Sequence, residues 1–308
     1  MAHTIKLRNG DRTFTNLSNY TEGTVFGRRK VQFDRVIFLL HGFPDDNSSW
    51  SDVWDILVKQ FGSQKVLLLA PLMRGYEPSS IGPEKEYKTS DIAGDVKAWI
   101  DSLTLAEGTP VNLLGHDWGA IAAFKTASLY PDSVTSIVTL AIPYICNIHP
   151  LELAVRCPQQ GYLSSYMITM QAAWLYRERF TKSTEYLENL WRYWSPSWQF
   201  PAEALEHVNN TLQQPGVLDA TTAYYRAMFR LLNFSDRRWL VDFSKVPTLL
   251  IGGEEDGCMS KKLYEIEQEK LAKEKNADVV LLANAGHFLQ RENPQKVAEL
   301  AAKWFKDH

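Results

Sequence analysis

The chain has 308 residues, of which 45% are hydrophobic and 22% charged, a composition typical of a folded globular protein. Its formal net charge of −3 gives no basic footprint for nucleic acid, and no apolar run is long enough to span a membrane. Three cysteines without metal-ligand spacing, and an N-terminus without an apolar signal core, favour a cytosolic protein with reduced thiols and no bound metal.

The first part of the chain alternates apolar runs with helical patterns. Residues 1–35 are polar with scattered β-forming side chains, so we expect antiparallel edge strands there. Residues 36–40 and 66–70 are continuous apolar runs, which are typical of strands covered on both faces. Apolar residues at helical spacing predict one helix through residues 50–57 and another over Thr89–Ser102.

The middle of the chain changes character. A strand, a sharp turn and a helix are predicted over 111–130, and another strand over 136–141. Residues 143–245 then show no strand–helix alternation and hold five of the ten tryptophans and eight of the thirteen tyrosines. We interpret this segment as a helical cap inserted over the carboxyl edge of a sheet. Helical spacing within it is found over 163–180, 184–194, 202–213 and 219–233.

The strand–helix alternation resumes after the cap. A strand is predicted over 246–251, a helix over 260–275, a strand over 279–282, and a closing helix from near Pro294. Strands that alternate with helices predict an α/β fold with a mainly parallel central sheet flanked by helices. The expected domains are therefore a core of residues 1–142 and 246–308, and a cap of residues 143–245.

The stretch 111–120 carries the pattern Gly115-x-Asp117-x-Gly119 where a strand meets a helix. Glycines permit a tight turn and a close approach of the two elements. This pattern is the nucleophile elbow of α/β-hydrolases, with aspartate in place of the usual serine. Aspartate is ionised at neutral pH, and its attack on a saturated carbon would give an ester that water can hydrolyse. The pattern therefore indicates displacement at carbon followed by hydrolysis, although the stretch alone would also suit a helix-capping aspartate.

Two further polar residues follow later strands, Asp256 and His287. Open α/β sheets build their sites at the carboxyl ends of strands, and the order nucleophile, acid, histidine is that of α/β-hydrolases. His287 would activate water, and Asp256 would hold its imidazole. Glu254 and Glu255 are rival acids, and His116 is a weaker rival base because the turn aims the nucleophile away from it.

Hydrolysis of an ester passes through an oxyanion, which backbone N–H groups are expected to bind. The elbow pattern assigns this role to Trp118, the residue after the nucleophile, and to Phe43, in the loop after the first parallel strand. Pro44 has no N–H and stiffens that loop. We expect His41, Pro44 and the cap residue Trp174 to border the substrate pocket, with core packing as the alternative for the cap tryptophans.

Five motifs carry a family resemblance: His41-Gly42-Phe43-Pro44, Arg74-Gly75-Tyr76, Gly115-His116-Asp117-Trp118-Gly119, Gly253-Glu254-Glu255-Asp256 and Gly286-His287-Phe288. Over nearly its whole length the sequence resembles the epoxide hydrolases of the α/β-hydrolase fold. The spacing in that family favours Asp256 over its two glutamate neighbours as the acid. The resemblance implies a cofactor-independent hydrolase, a monomer or homodimer, that converts a small apolar epoxide and water into a vicinal diol.

The resemblance also implies two cap tyrosines that hold the epoxide oxygen. One lies five residues before a glutamine, which here is Tyr166 before Gln171, and the other is Tyr225 in the motif Tyr224-Tyr225-Arg226. Opening an epoxide makes an alkoxide, to which a phenol that is protonated at neutral pH can donate. The alternative for each tyrosine is simple packing in an aromatic-rich cap.

Other functions remain open at this point. A haloalkane dehalogenase would use the same aspartate and histidine and would bind halide through Trp118, but Phe43 stands where many of those enzymes have asparagine. A fluoroacetate-type dehalogenase typically has arginine directly after the nucleophile, where this chain has Trp118. A non-catalytic ligand receptor on a hydrolase fold is the alternative outside enzymes, and an esterase would need serine at position 117.

Overall fold

One eight-stranded sheet forms the centre of the molecule. The computed structural model describes residues 2–27, 31–233 and 235–308. The strand order is β1-β2-β4-β3-β5-β6-β7-β8. The strands are β1 (His3–Asn9), β2 (Arg12–Ser18), β3 (Arg35–Leu40), β4 (Val66–Pro71), β5 (Val111–His116), β6 (Ser136–Leu140), β7 (Thr248–Gly253) and β8 (Ala277–Leu282).

The sheet has the mixed character that the sequence predicts. β1 pairs antiparallel with β2, and β2 pairs antiparallel with β4, which confirms the antiparallel edge. All remaining neighbours pair parallel, from β4 through to β8. The carboxyl ends of the parallel strands therefore meet at one edge of the sheet, which is where a site is expected.

Helices cover both faces of the sheet, and two apolar clusters lie between the layers. The apolar runs β3, β4 and β5 are buried at every position because neither face is left to water. The α-helices outside the region between β6 and β7 are α1 (Glu22–Val25), α2 (Ser51–Gln60), α3 (Thr89–Ser102), α4 (Trp118–Leu129), α12 (Lys261–Leu271), α13 (Leu289–Glu292) and α14 (Pro294–Asp307).

The chain between β6 and β7 carries helices and no strand in its described part, and we call it the helical insertion. Its α-helices are α5 (Pro150–Arg156), α6 (Gln159–Leu163), α7 (Tyr166–Thr169), α8 (Ala173–Thr181), α9 (Glu185–Trp194), α10 (Ala202–Leu212) and α11 (Val217–Phe229). This insertion confirms the predicted helical region, whereas the domain limits at residues 142, 143, 245 and 246 stay a prediction. Short 3-10 turns connect several elements, at Asn47–Trp50, Pro78–Ser80, Glu84–Glu86, Pro131–Ser133, Ile145–Asn147, Leu231–Asn233 and Ser235–Arg237.

One prediction about the insertion was wrong. A single helix over 163–180 does not form, because the chain breaks into α6, α7 and α8 around Ser164 and Ser165 and again at 170–172. Serine pairs favour turns, since their side chains compete for backbone hydrogen bonds. The helix α5 was not predicted. No helix in the described ranges is long and apolar enough to cross a membrane.

Candidate active site

Asp117 occupies a sharp turn between β5 and α4. Its backbone angles are φ 50° and ψ −118°, a conformation that L-residues seldom adopt and that is often found at functional sites. Gly115 and Gly119 allow this geometry, because a Cβ at either position would overlap backbone atoms of the facing segment. The turn thus holds the carboxylate at the end of β5 and at the start of a helix, where the helix dipole favours negative charge.

The loop after β3 donates a hydrogen bond to the Asp117 carboxylate. The N–H of Phe43 donates to Asp117 Oδ1 at 2.8 Å. The carbonyl on the other side of that peptide, Gly42 O, accepts hydrogen bonds from the hydroxyl of Tyr76 at 3.0 Å and from His41 Nδ1 at 3.1 Å. Because N–H and C=O point in opposite directions across a trans peptide, these two bonds orient the Phe43 N–H toward the carboxylate.

His41 and Pro44 fix the same loop. His41 Nε2 accepts the N–H of Met73 at 2.9 Å, and the carbonyl of Pro44 accepts the indole N–H of Trp191 from α9 at 3.0 Å. Both residues are buried beside Phe43. These contacts hold the loop in place, and a role for His41 and Pro44 in bordering the substrate stays a prediction.

His287 lies between two carboxylates, as the sequence predicts. Its Nδ1 donates to Asp256 Oδ2 at 3.0 Å, and its Nε2 is 3.7 Å from Asp117 Oδ2. The other oxygen of Asp256 accepts the N–H groups of Cys258 at 2.6 Å and Met259 at 2.9 Å. The structure therefore brings together the three residues that three separate strand ends were expected to supply.

The electrostatics of His287 follow from this pairing. Burial by itself lowers the pKa of the imidazole, but the negative charges of Asp256 and Asp117 raise it more, to about 10. The imidazole is therefore protonated at neutral pH. His116, whose Nε2 donates to the His287 carbonyl at 2.9 Å, has a pKa that burial and the nearby His287 lower to about 4. It is thus a neutral structural residue in this arrangement rather than a rival base.

The rival acids point elsewhere. Glu254 pairs with Lys261 at 2.7 Å, and Glu255 accepts a hydrogen bond from Ser197. Of the three acids, Asp256 is the one that pairs with His287 within the described part of the chain.

Tyr166 and Tyr225 come from different helices of the insertion and meet edge to face, with ring centroids 5.8 Å apart. The Tyr225 ring also packs against Trp118 at 5.1 Å and Phe43 at 5.5 Å, the two residues that flank the Asp117 carboxylate. Its hydroxyl is buried and makes no hydrogen bond of normal length and angle within residues 2–27, 31–233 and 235–308. The Tyr166 hydroxyl has a long contact, 3.6 Å, from the thiol of Cys258.

Both phenols are protonated donors. Burial raises the pKa of Tyr225 well above its ordinary value, and the negative charge of Asp117 adds to this, while polar contact with Trp118 and Tyr166 acts weakly in the opposite sense. Burial likewise raises the pKa of Tyr166, with further contributions from Cys258, Tyr225 and Asp117.

A cavity of about 450 Å³ opens next to this cluster and is lined by residues of α6 to α9. Tyr166 and Trp194 form part of its wall, and the Trp194 ring packs on the His287 imidazole at 4.9 Å. Tyr162 and Ile168, which are 74% and 71% exposed, stand at its rim. Trp174 is 72% exposed on α8 and is not among the described residues that line this cavity, so its expected place at the border of the substrate pocket stays a prediction.

The family model of the alpha/beta hydrolase fold matches residues 35–294 of the chain. The chain belongs to the α/β-hydrolase fold family. This α/β hydrolase is 28% identical to human Epoxide hydrolase 4 over 282 residues, which cover 88% of this chain and 72% of that one. It is 27% identical to mouse Epoxide hydrolase 3 over 285 residues, which cover 88% and 71%.

Solved structures show the same fold for this α/β hydrolase. Potato epoxide hydrolase I superposes with a TM-score of 0.72 at 20% identity and covers 100% of both chains. Epoxide Hydrolase A from Mycobacterium thermoresistibile gives 0.74 at 18% identity and covers 99% of this chain and 98% of that one. The hydrolase is thus related to epoxide hydrolases, and its buried Asp–His pair is consistent with a catalytic triad.

One group of side chains in the site resembles a metal-ligand set. Donor atoms of Asp256, Cys258 and His287 all lie within 4.8 Å of one another. The carboxylate and the imidazole are already paired, however, and burial raises the pKa of the Cys258 thiol well above its ordinary value, so the thiol keeps its proton. The cluster therefore fits acid–base chemistry better than metal binding.

Several residues of the site escaped the sequence analysis. Cys258 touches Tyr166, and Ser195 and Glu292 bind the backbone around His287. None of them lies in a motif with a chemical signature, and only their position next to Asp256, His287 or an insertion helix could have drawn attention to them.

Proposed function

We propose that this α/β hydrolase converts an epoxide into a vicinal diol through an ester formed on Asp117. The observation that carries the proposal is the Tyr225 hydroxyl, a buried donor without a hydrogen bond of normal geometry among the described residues, whose ring packs on both neighbours of the Asp117 carboxylate. A buried polar group whose hydrogen bonding is incomplete is costly. A substrate oxygen held there would remove that cost and would lie within reach of the nucleophile.

In the first step one carboxylate oxygen attacks a ring carbon. Asp117 Oδ1 is held by the Phe43 N–H at 2.8 Å, whereas Oδ2 lies 3.7 Å from His287 Nε2, beyond normal hydrogen-bond length. Oδ2 is therefore the attacking oxygen. The C–O bond of the epoxide breaks, and the released alkoxide takes a proton from Tyr225 or Tyr166, because a hydrogen-bonded phenol makes the oxygen a better leaving group. Two donors on two helices also fix the ring for in-line attack.

The first step prepares the base for the second. Esterification removes the negative charge of Asp117, which is one of the causes that raise the pKa of His287 to about 10. The pKa of the imidazole then falls, and the proton that it gives up restores the phenol. Neutral His287 enters the second step with Nδ1–H still bound to Asp256.

In the second step Nε2 of His287 takes a proton from water, and the resulting hydroxide attacks the ester carbonyl carbon. The oxyanion forms on the oxygen that the Phe43 N–H already contacts, with the N–H of Trp118 as the second donor at the start of α4. Collapse of this intermediate breaks the bond between the carboxyl carbon and the alkyl oxygen, which takes the remaining proton of the attacking water. The diol then leaves, and Asp117 is again a carboxylate beside a protonated His287. One oxygen of the diol thus comes from Asp117.

A single turnover in ¹⁸O water tests this route. With excess enzyme and one equivalent of styrene oxide or another apolar epoxide, ¹⁸O should enter the Asp117 carboxylate while the first diol carries none. Label in the diol of the first turnover would contradict the covalent route. A 1-haloalkane assayed in parallel for halide release distinguishes a dehalogenase, for which halide and no diol formation is expected.

A further inference from the structure

The end of α9 contacts the catalytic histidine loop from the insertion side. Ser195, the residue after α9, is fully buried. Its Oγ accepts the N–H of His287 at 2.9 Å and the N–H of Phe288 at 3.2 Å. A hydroxyl oxygen has two acceptor sites, so both are used, and they hold two consecutive amides of the loop.

Glu292 completes this arrangement from the core side. The Ser195 hydroxyl donates its proton to Glu292 Oε1 at 2.7 Å, and Glu292 Oε2 accepts the N–H of Gly286 at 2.8 Å. Three consecutive backbone amides, those of Gly286, His287 and Phe288, are therefore bound by one Ser–Glu pair. We call Ser195 and Glu292 the loop clamp.

Backbone packing makes the contact closer still. The carbonyl of Trp194 accepts the N–H of His287 at 3.0 Å and the N–H of Gly257 at 3.1 Å, so one carbonyl joins the base loop to the loop that follows the acid. A Cβ at Gly286 would lie 2.6 Å from the Ser195 Cα, and one at Gly257 would overlap the Tyr193 carbonyl. The loops carrying Asp256 and His287 thus fit against the end of α9 only because both positions are glycine.

We propose that the loop clamp positions His287 for the hydrolytic half of the reaction. This inference rests on the proposed function, since it needs a two-step reaction in which His287 acts mainly in the second step. Ser195 and Glu292 do not touch the substrate in this scheme. They act through the three amides, which set where Nε2 stands relative to the ester on Asp117, and small misplacements of a catalytic group can lower a rate about 10²-fold.

The experiment separates the two half-reactions in Ser195→Ala, Glu292→Gln and Glu292→Ala. Rapid mixing with styrene oxide, followed by quenching and mass measurement, gives the rate constants for ester formation and ester hydrolysis. We expect Ser195→Ala to lower hydrolysis about 10- to 100-fold and ester formation less than about 3-fold, so that the ester accumulates. Glu292→Gln, which keeps one acceptor oxygen, should be milder than Glu292→Ala.

A readout without substrate and a matched control complete the test. Hydrogen exchange at residues 286–288 should become faster in Ser195→Ala and Glu292→Ala, and their double variant should be non-additive because both act on the same amides. Ser197→Ala removes another serine–glutamate contact of the insertion, the exposed one to Glu255, and should change neither rate constant. Equal losses in both half-reactions, or unchanged hydrolysis, would overturn the inference. If the wild-type enzyme forms no ester, the proposed function itself fails.

Discussion

The core half and the insertion half of the site differ in the charge of their functional groups and in how completely those groups are hydrogen-bonded. The core supplies charged groups that are closely held: Asp256 accepts hydrogen bonds from His287, Cys258 and Met259, and Asp117 accepts one from Phe43. The insertion supplies neutral phenols with little or no hydrogen bonding, from Tyr225 and Tyr166. Charges are costly to bury without partners, so the core satisfies them in advance, whereas donors with incomplete hydrogen bonding are the groups free to recognise a ligand.

The strongest test of the core half is removal of the nucleophile. Asp117→Ala should lower kcat/KM for epoxide hydrolysis by on the order of 10⁴-fold or more, because nothing else in the site can form the ester. Diol formation measured by chromatography checks this, with circular dichroism to show that the variant is folded. Retention of more than a few per cent of the activity would mean that water attacks the epoxide directly.

Removing the base should split the reaction. His287→Gln should lower kcat about 10²- to 10⁴-fold, since water is no longer activated, while ester formation continues. Intact-protein mass spectrometry should then show an adduct with the mass of the added epoxide. An inactive variant that never acquires the adduct would place His287 in the first step instead.

Substitutions in the insertion half should have smaller effects, and they should slow ester formation rather than ester hydrolysis. Tyr225→Phe should slow ester formation about 10- to 100-fold, because Tyr166 remains as a donor, and Tyr166→Phe should behave alike. The double variant should lose far more than either single one. Unchanged ester formation in all three variants would show that the phenols only pack, which would break the contrast between the two halves.

The coupling between the two reaction steps can be measured as a change in the pKa of His287. Asp117→Asn mimics the uncharged ester, so the pKa of His287 should fall below the value of about 10 in the wild type. Histidine NMR titration of the two proteins measures it. Because folding raises the pKa of His287, protonation of this residue stabilises the folded state at low pH. The wild type should therefore lose this contribution to its free energy of unfolding as pH rises from about 6.5 toward 10. The variant should lose less, and an unchanged pKa would contradict the proposed activation of the base.

The smallest effect is expected at Trp174. It is 72% exposed, so Trp174→Ala should change kcat/KM by no more than about 2-fold, as for other surface substitutions. Activity assays with a small and a large epoxide check this. A large loss with the bulky substrate alone would show that Trp174 contacts ligands from the surface.

The sequence predicted the core half well because its signals are local. The apolar run of β5, the two glycines beside Asp117 and the strand-end positions of Asp256 and His287 each depend on nearby residues. The parallel sheet then follows from the alternation of elements, and it places distant strand ends at one edge.

The insertion half was predicted less well for a physical reason. Tyr166 and Tyr225 could be chosen from many aromatic residues by motif alone, and the helix expected through Tyr166 is broken by turns at Ser164 and Ser165. Packing against the core decides where short helices end, and this is a long-range effect. The Ser195 contact with the histidine loop joins residues 92 and 93 positions apart, a separation at which periodicity carries no signal.

The insertion is also fastened to the loops that it covers. Trp191 holds the Pro44 carbonyl at 3.0 Å, and the Tyr224 hydroxyl donates to the carbonyl of Arg74 at 2.6 Å. Opening the insertion as a rigid body would break these two hydrogen bonds and would at the same time loosen the loop that carries the Phe43 amide. We therefore expect substrate to enter through the cavity among α6 to α9, whose wall residue Trp194 packs on the His287 imidazole, while the insertion stays closed over the loops.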